Sequence, residues 1–138
     1  MIDSRELRLG NYVQESLFTF KFAQITSIDK KRVHVKYEFS RASLGIKDII
    51  PIILTEEILI KCGFVLYGYG STDDEFISSV EFTGYRLNNF DICFVNDTNK
   101  SIRFVNNINE KVYCNIKYLH QLQNLYFALT NEEITIQL

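Results

Sequence analysis

The stretches Phe18-Thr19-Phe20-Lys21-Phe22 and Val33-His34-Val35-Lys36-Tyr37-Glu38-Phe39 decide the fold class. Successive side chains of a strand point to opposite faces, so Phe18, Phe20 and Phe22 share one face. In the second run Val33, Val35, Tyr37 and Phe39 share a face, with His34, Lys36 and Glu38 opposite. Asp29-Lys30-Lys31-Arg32 has the polar make-up of the turn between them. Toward the start, Leu7-Arg8-Leu9-Gly10-Asn11-Tyr12-Val13 adds another short strand. Several strands within about 40 residues predict an SH3-like curled sheet.

Residues 40–54 break the alternation and read as a packed connector, because Pro51 cannot donate to a central ladder and holds Ile50 extended. A short helix over about 56–62 follows, with Thr55 as N-cap, Glu56 and Glu57 in the first turn, a Leu54–Leu59 staple and Gly63 as the left-handed stop. From 64 to 116 the pattern is an antiparallel meander with runs at 76–82, 85–87, 90–95, 102–105 and 112–116. Asn88-Asn89 suits a two-residue loop that sets Leu87 opposite Phe90 and Arg86 opposite Asp91. A helix over 118–129 follows, its core face predicted from Tyr118, Leu119, Leu122, Leu125, Tyr126 and Leu129, with Asn131 as its stop. Ile134, Ile136 and Leu138 predict a last edge strand. The expected architecture is β-rich α+β: an N-terminal SH3-like curled sheet, then an antiparallel meander with two helices. It forms a single folded unit over 1–138, subdivided at most into 1–40 and 41–138.

Composition narrows the function classes. The chain is 46% hydrophobic and 23% charged, a globular balance rather than a disordered one. Eleven Phe, eight Tyr and one Pro favour strands. The net charge of -2 offers no overall positive field, so nucleic-acid binding is disfavoured unless a local patch supplies it. Cys62, Cys93 and Cys114 are odd in number and far apart, which implies free thiols and neither a disulfide framework nor a metal site. The charged opening residues and the lack of a long apolar run imply a cytoplasmic protein with no membrane partner. The Asn96 and Asn99 glycosylation-like triplets are then turn residues only.

With two histidines, general acid–base chemistry has few bearers. His34 falls on the solvent face of its strand. Cys114 or Ser101 with His120 lacks any nucleophile motif, and Gly68-Tyr69-Gly70 before Ser71-Thr72-Asp73-Asp74-Glu75 lacks both the phosphate-loop and the calcium-loop spacing, so it reads as a solvated loop. No catalytic, cofactor-binding or metal-binding residue is assigned. Two surfaces stand out. Lys30, Lys31 and Arg32, with Lys21 and Lys36 on nearby strands, form a candidate nucleic-acid patch. On the C-terminal helix, His120, Gln123, Asn124 and Phe127 form a stripe opposite the predicted core face, an aromatic among uncharged hydrogen-bonding groups. Such a stripe has the composition of a partner surface, or is covered by the same chain.

Three segments carry a resemblance: Glu6-Leu7-Arg8-Leu9-Gly10-Asn11-Tyr12-Val13, then Leu54-Thr55-Glu56-Glu57-Ile58-Leu59 with Cys62-Gly63-Phe64, and His120-Gln121-Leu122-Gln123-Asn124-Leu125-Tyr126-Phe127-Ala128-Leu129-Thr130. Together the chain resembles a family of short uncharacterised proteins of Bacteroidetes bacteria, often encoded in phage-like or mobile regions. The resemblance implies a bacterial cytoplasmic setting and no site residues. The expectation is a non-enzymatic interaction module or accessory protein that engages a protein partner or a second copy of itself. The alternative is weak nucleic-acid binding through the N-terminal strands, and an enzyme with an unusual carboxylate site ranks third. Because the thiols are unpaired and no ligand cluster is written in the sequence, the melting temperature measured with EDTA or dithiothreitol should match that without.

Overall fold

A computed structural model of the chain describes residues 2–72, 80–88, 90–95, 102–106 and 114–137. It is a β-rich α+β protein with antiparallel sheets, one of them curled, and two helices. The chain divides into two compact units, Met1–Ile53 with Tyr118–Ile134, and Leu54–Lys117 with Thr135–Leu138. This boundary differs from the expected subdivision at residue 40. The segment read as a connector supplies two more strands to the first sheet, and the C-terminal helix returns to the first unit.

In the first unit, β1 (Tyr12–Glu15), β2 (Phe18–Ile28), β3 (Arg32–Lys36), β4 (Arg41–Gly45) and β5 (Ile49–Ile50) make one sheet in the order β4-β3-β2-β1-β5, antiparallel throughout. Pro51 follows edge strand β5 directly, where its missing N–H costs no ladder bond. The core gathers Ile2, Leu7, Val13, Ala23, Ile25, Val33, Val35, Leu44 and Ile49. The second predicted strand is inward-facing at Val33, Val35 and Tyr37, with His34, Lys36 and Glu38 exposed. Phe39 is 91% exposed, because β3 stops at Lys36 and the chain turns there.

On β2 the core face is Ala23 and Ile25, and Phe18 is half exposed. The pairing of β2 slips against Gln14 and Glu15 of β1, where three β2 residues are passed over, and between Ile25 and Ser27 against β3, where one is. An odd number of extra residues on one strand breaks a two-residue period, so the alternation cannot be carried through either irregularity.

In the second unit, α1 (Glu56–Lys61) begins at Thr55, whose hydroxyl accepts from Ile58 N at 3.3 Å. It ends in a Schellman arrangement: Gly63 N donates to Ile60 O and Phe64 N to Leu59 O, both at 3.0 Å, with Gly63 at φ +89°. Then β6 (Val65–Thr72), β7 (Val80–Leu87), β8 (Phe90–Val95), β9 (Ile102–Asn106) and β10 (Cys114–Asn115) form a meander in simple order. Gly68 through Thr72, expected as a loop, runs as strand β6 against β7, while Asp73, Asp74 and Glu75 lie outside the described residues.

The hairpin at Asn88 has the predicted register: Leu87 pairs with Phe90 and Arg86 with Asp91, and Asn88 takes φ +54°. Arg86 grips the buried Asp91 carboxylate with Nε at 2.6 Å and Nη2 at 2.9 Å. Among the described residues the final predicted edge strand forms no ladder, and Leu138 lies outside them. Ile134 and Ile136 are nonetheless buried, so the alternation marked burial rather than pairing.

Gly63→Ala tests the α1 stop. A new Cβ would meet only Leu87 Cδ1 at 3.6 Å, an ordinary contact, so the cost is the left-handed backbone alone. Thermal denaturation should show a loss of about 1–2 kcal/mol.

Candidate functional site

The C-terminal helix α2 (Leu119–Thr130) starts after Tyr118, whose N–H donates to Gln121 Oε1 at 3.2 Å, and stops at Asn131 in the left-handed conformation, φ +59°. It lies against β1. Leu119, Leu122 and Tyr126 are buried as predicted, but Leu129 is half exposed and Leu125 only partly covered. His120 and Gln123 are buried instead. The buried face is rotated toward the stripe.

That rotation follows from polar contacts with the opening segment. Gln123 Oε1 accepts from Tyr12 N at 2.9 Å, and its Nε2 donates to Gly10 O at 3.2 Å. Two residues on, Gln14 pairs with Ile50 of β5. The amide thus completes the β1 edge where β5 has ended. Asn124 Oδ1 accepts from Asn11 Nδ2 at 2.9 Å and Arg8 Nε at 3.2 Å, while its Nδ2 donates to Glu6 O at 2.6 Å. The Arg8 guanidinium lies over the Phe127 ring, 4.3 Å from its centroid, and forms a two-pronged ion pair with Glu133. His120 Nε2 lies 3.1 Å from Glu6 Oε2.

His120 and Gln123 are thus buried against their own chain, and the partly buried Asn124 and Phe127 contact it too, which is the second of the two readings of the stripe. Buried amides are retained where every donor and acceptor finds a match, and Gln123 finds both. No sequence periodicity distinguishes such an amide from one that faces a partner.

The basic patch is assembled differently. Asp29 Oδ1 accepts from Lys31 N at 3.0 Å and Arg32 N at 2.9 Å, closing the turn between β2 and β3. These two amides hold the Asp29 carboxyl below its ordinary range, the Lys31 amide most. Lys30, Lys31 and Arg32 are exposed on that turn. The turn backbone also accepts a bond from Ile46 N to Lys31 O at 3.3 Å, which draws the 3-10 turn Ile46–Asp48 alongside. Lys47 thereby joins the three predicted residues in lining an open groove of about 560 Å³.

Arg32 is fixed within this groove by Nε on Ser43 Oγ at 2.7 Å and Nη2 on Ser43 O at 2.6 Å. Among the described lining residues, Asp48 is the acid and none is aromatic. Lys21 and Lys36 are exposed but do not line the groove. Lys47 and Ser43 escaped the sequence reading because they reach the turn through tertiary contacts and share no local motif with it.

Other candidate chemistry is sparse. His34 is partly exposed, 3.8 Å from Asp29. Cys62 and Cys93 are free, and burial pushes the Cys62 thiol up to about 12, far from a reactive thiolate. The Cys114 side chain and Ser101 lie outside the described residues. Among the described residues, no group of three or more His, Cys, Asp or Glu could hold a metal ion, and no helix is long and apolar enough to cross a membrane. Comparison with protein families, curated proteins and solved structures finds no match.

Gln123→Ala leaves Tyr12 N–H and Gly10 C=O without the amide. Denaturant unfolding should show a loss of about 1–3 kcal/mol, set by the part-buried Tyr12 N–H losing the amide while Gly10 C=O keeps Gln24 Nε2 at 3.2 Å, with the oligomeric state in sedimentation unchanged.

Proposed function

We propose that the protein is a non-enzymatic binding module whose contact surface is the basic groove of its SH3-like first sheet, and that it takes the phosphate backbone of nucleic acid. The observation that carries this is the convergence of Lys30, Lys31, Arg32 and Lys47 on one groove, against one acid, Asp48, among the described lining residues. The groove supplies charge without an aromatic platform, so it suits phosphates rather than stacked bases. Its reading is sequence-independent.

Arg32 is pre-positioned by Ser43 and gives up little side-chain freedom on binding, whereas the three lysines carry the adaptable contacts. The resemblance of the chain to phage-like or mobile-element proteins supports an accessory role in the cytoplasm, where such a ligand is abundant.

The net charge of -2 keeps this affinity low and salt-sensitive. If Lys30, Lys31, Arg32 and Lys47 each displace one counterion from duplex DNA, the salt slope is about -3.6, and affinity falls about 150-fold from 50 to 200 mM salt. Fluorescence anisotropy with labelled oligonucleotides of unrelated sequence checks this. Binding should be similar across sequences, and Lys30→Glu with Lys31→Glu should abolish it. Binding that resists salt, or that survives the double substitution, would overturn the proposal.

A further inference from the structure

His120 is fully buried on the first turn of α2, yet it carries an unmet polar atom. Its Nε2 faces Glu6 Oε2 at 3.1 Å, while Nδ1 is enclosed and, among the described residues, has no hydrogen-bond partner. Glu6 belongs to the 3-10 turn Ser4–Glu6, within the segment that α2 holds through Arg8, Asn11 and Asn124. We propose that His120 is a pH-sensitive latch: acidification toward pH 5.5 loosens segment 2–11 from α2.

The neutral imidazole suits the closed state. With its proton on Nε2 it donates to the Glu6 carboxylate, and Nδ1 is left as a bare acceptor. A second proton would place an N–H on Nδ1 where no acceptor waits, and would put a full charge in a water-free site. Glu6 opposes this as the charged group acting on the ring, but its side chain is 47% exposed, so water screens its attraction. Gln121 Nε2 shares the same carboxylate oxygen at 3.4 Å and competes for it.

Among the described residues, the groups around the ring offer no other counter-charge. The Tyr118 ring stacks on His120 with centroids 5.7 Å apart, and the chain at Pro51, Ile52 and Ile53, where Leu119 N bonds Ile52 O, carries no ionisable side chain. Arg8, in the opening segment, and Glu133, beyond the end of α2, are paired with each other.

Burial thus holds the His120 pKa below the ordinary value, with Glu6 pulling the other way. The open state binds the proton more readily than the closed one. The latch is therefore at full strength above the ordinary histidine value and weakens as pH falls through it. If the closed ring stays neutral from pH 7.5 to 5.5 and the open ring titrates near 6.5, the opening equilibrium rises by up to about tenfold.

Hydrogen exchange by mass spectrometry over residues 2–11, corrected for the intrinsic pH dependence of exchange, measures that opening. The wild type should lose up to about tenfold protection across this window, His34→Gln should behave likewise, and His120→Gln should show no such dependence. Protection that is pH-independent in the wild type, or pH-dependence that persists in His120→Gln, would refute the latch. Should His120→Gln not fold, the imidazole titration of wild-type His120 by NMR decides: a midpoint below 6.5 supports the latch, and one at or above it refutes it.

Discussion

The first unit depends on a substitution of side chain for strand. β5 contributes two residues to the β1 edge and stops, and the Gln123 amide takes over at Tyr12 and Gly10. Unpaired backbone groups in the interior cost more than most single contacts return. A helix can meet that demand only with an amide at the right turn. The same demand draws polar residues onto what would otherwise be a purely apolar face, and Asn124 and His120 follow from it by helical spacing. Arg8 closes the far side, with Phe127 beneath its guanidinium and Glu133 beside it.

Legibility in the sequence follows the locality of the causes. Thr55, Gly63, Asn88 and the Val33–Val35 alternation act within a few residues of themselves, and each was readable. β4 was not, because Arg41, Ser43 and Gly45 resemble a loop and the strand exists only by pairing with β3. β6 was hidden by Gly68 and Gly70, residues that weaken a strand's pattern without preventing its ladder. On α2 the helix was plain but its orientation was not. The apolar set alone pointed to Leu125 and Leu129, and only the backbone groups of a segment more than a hundred residues away select Gln123. In the basic groove the turn residues were legible, and Lys47 was not.

Charge in this protein is organised at short range. The whole chain is slightly acidic, yet basic side chains converge within one groove. Screening at physiological salt limits exposed charges to roughly 8 Å of reach, so a neighbourhood can differ in sign from the molecule that holds it. The Arg86–Asp91 and Arg8–Glu133 pairs remove further charges from the surface field by matching them locally.

The two-part make-up of the first unit has a consequence for its biosynthesis. Its strands are complete once residue 50 has been made, but the helix that satisfies Tyr12 N–H and shares Gly10 C=O with Gln24 lies beyond residue 118. At roughly 5–20 residues per second, the ribosome needs on the order of 4–15 s to deliver α2 after the last strand. Throughout that interval the β1 edge is satisfied by water or by whatever else meets it, and an open edge is a template for foreign strands. Yield of the native protein is thus tied to translation speed across the intervening residues: slow elongation there prolongs the exposure, and fast elongation shortens it.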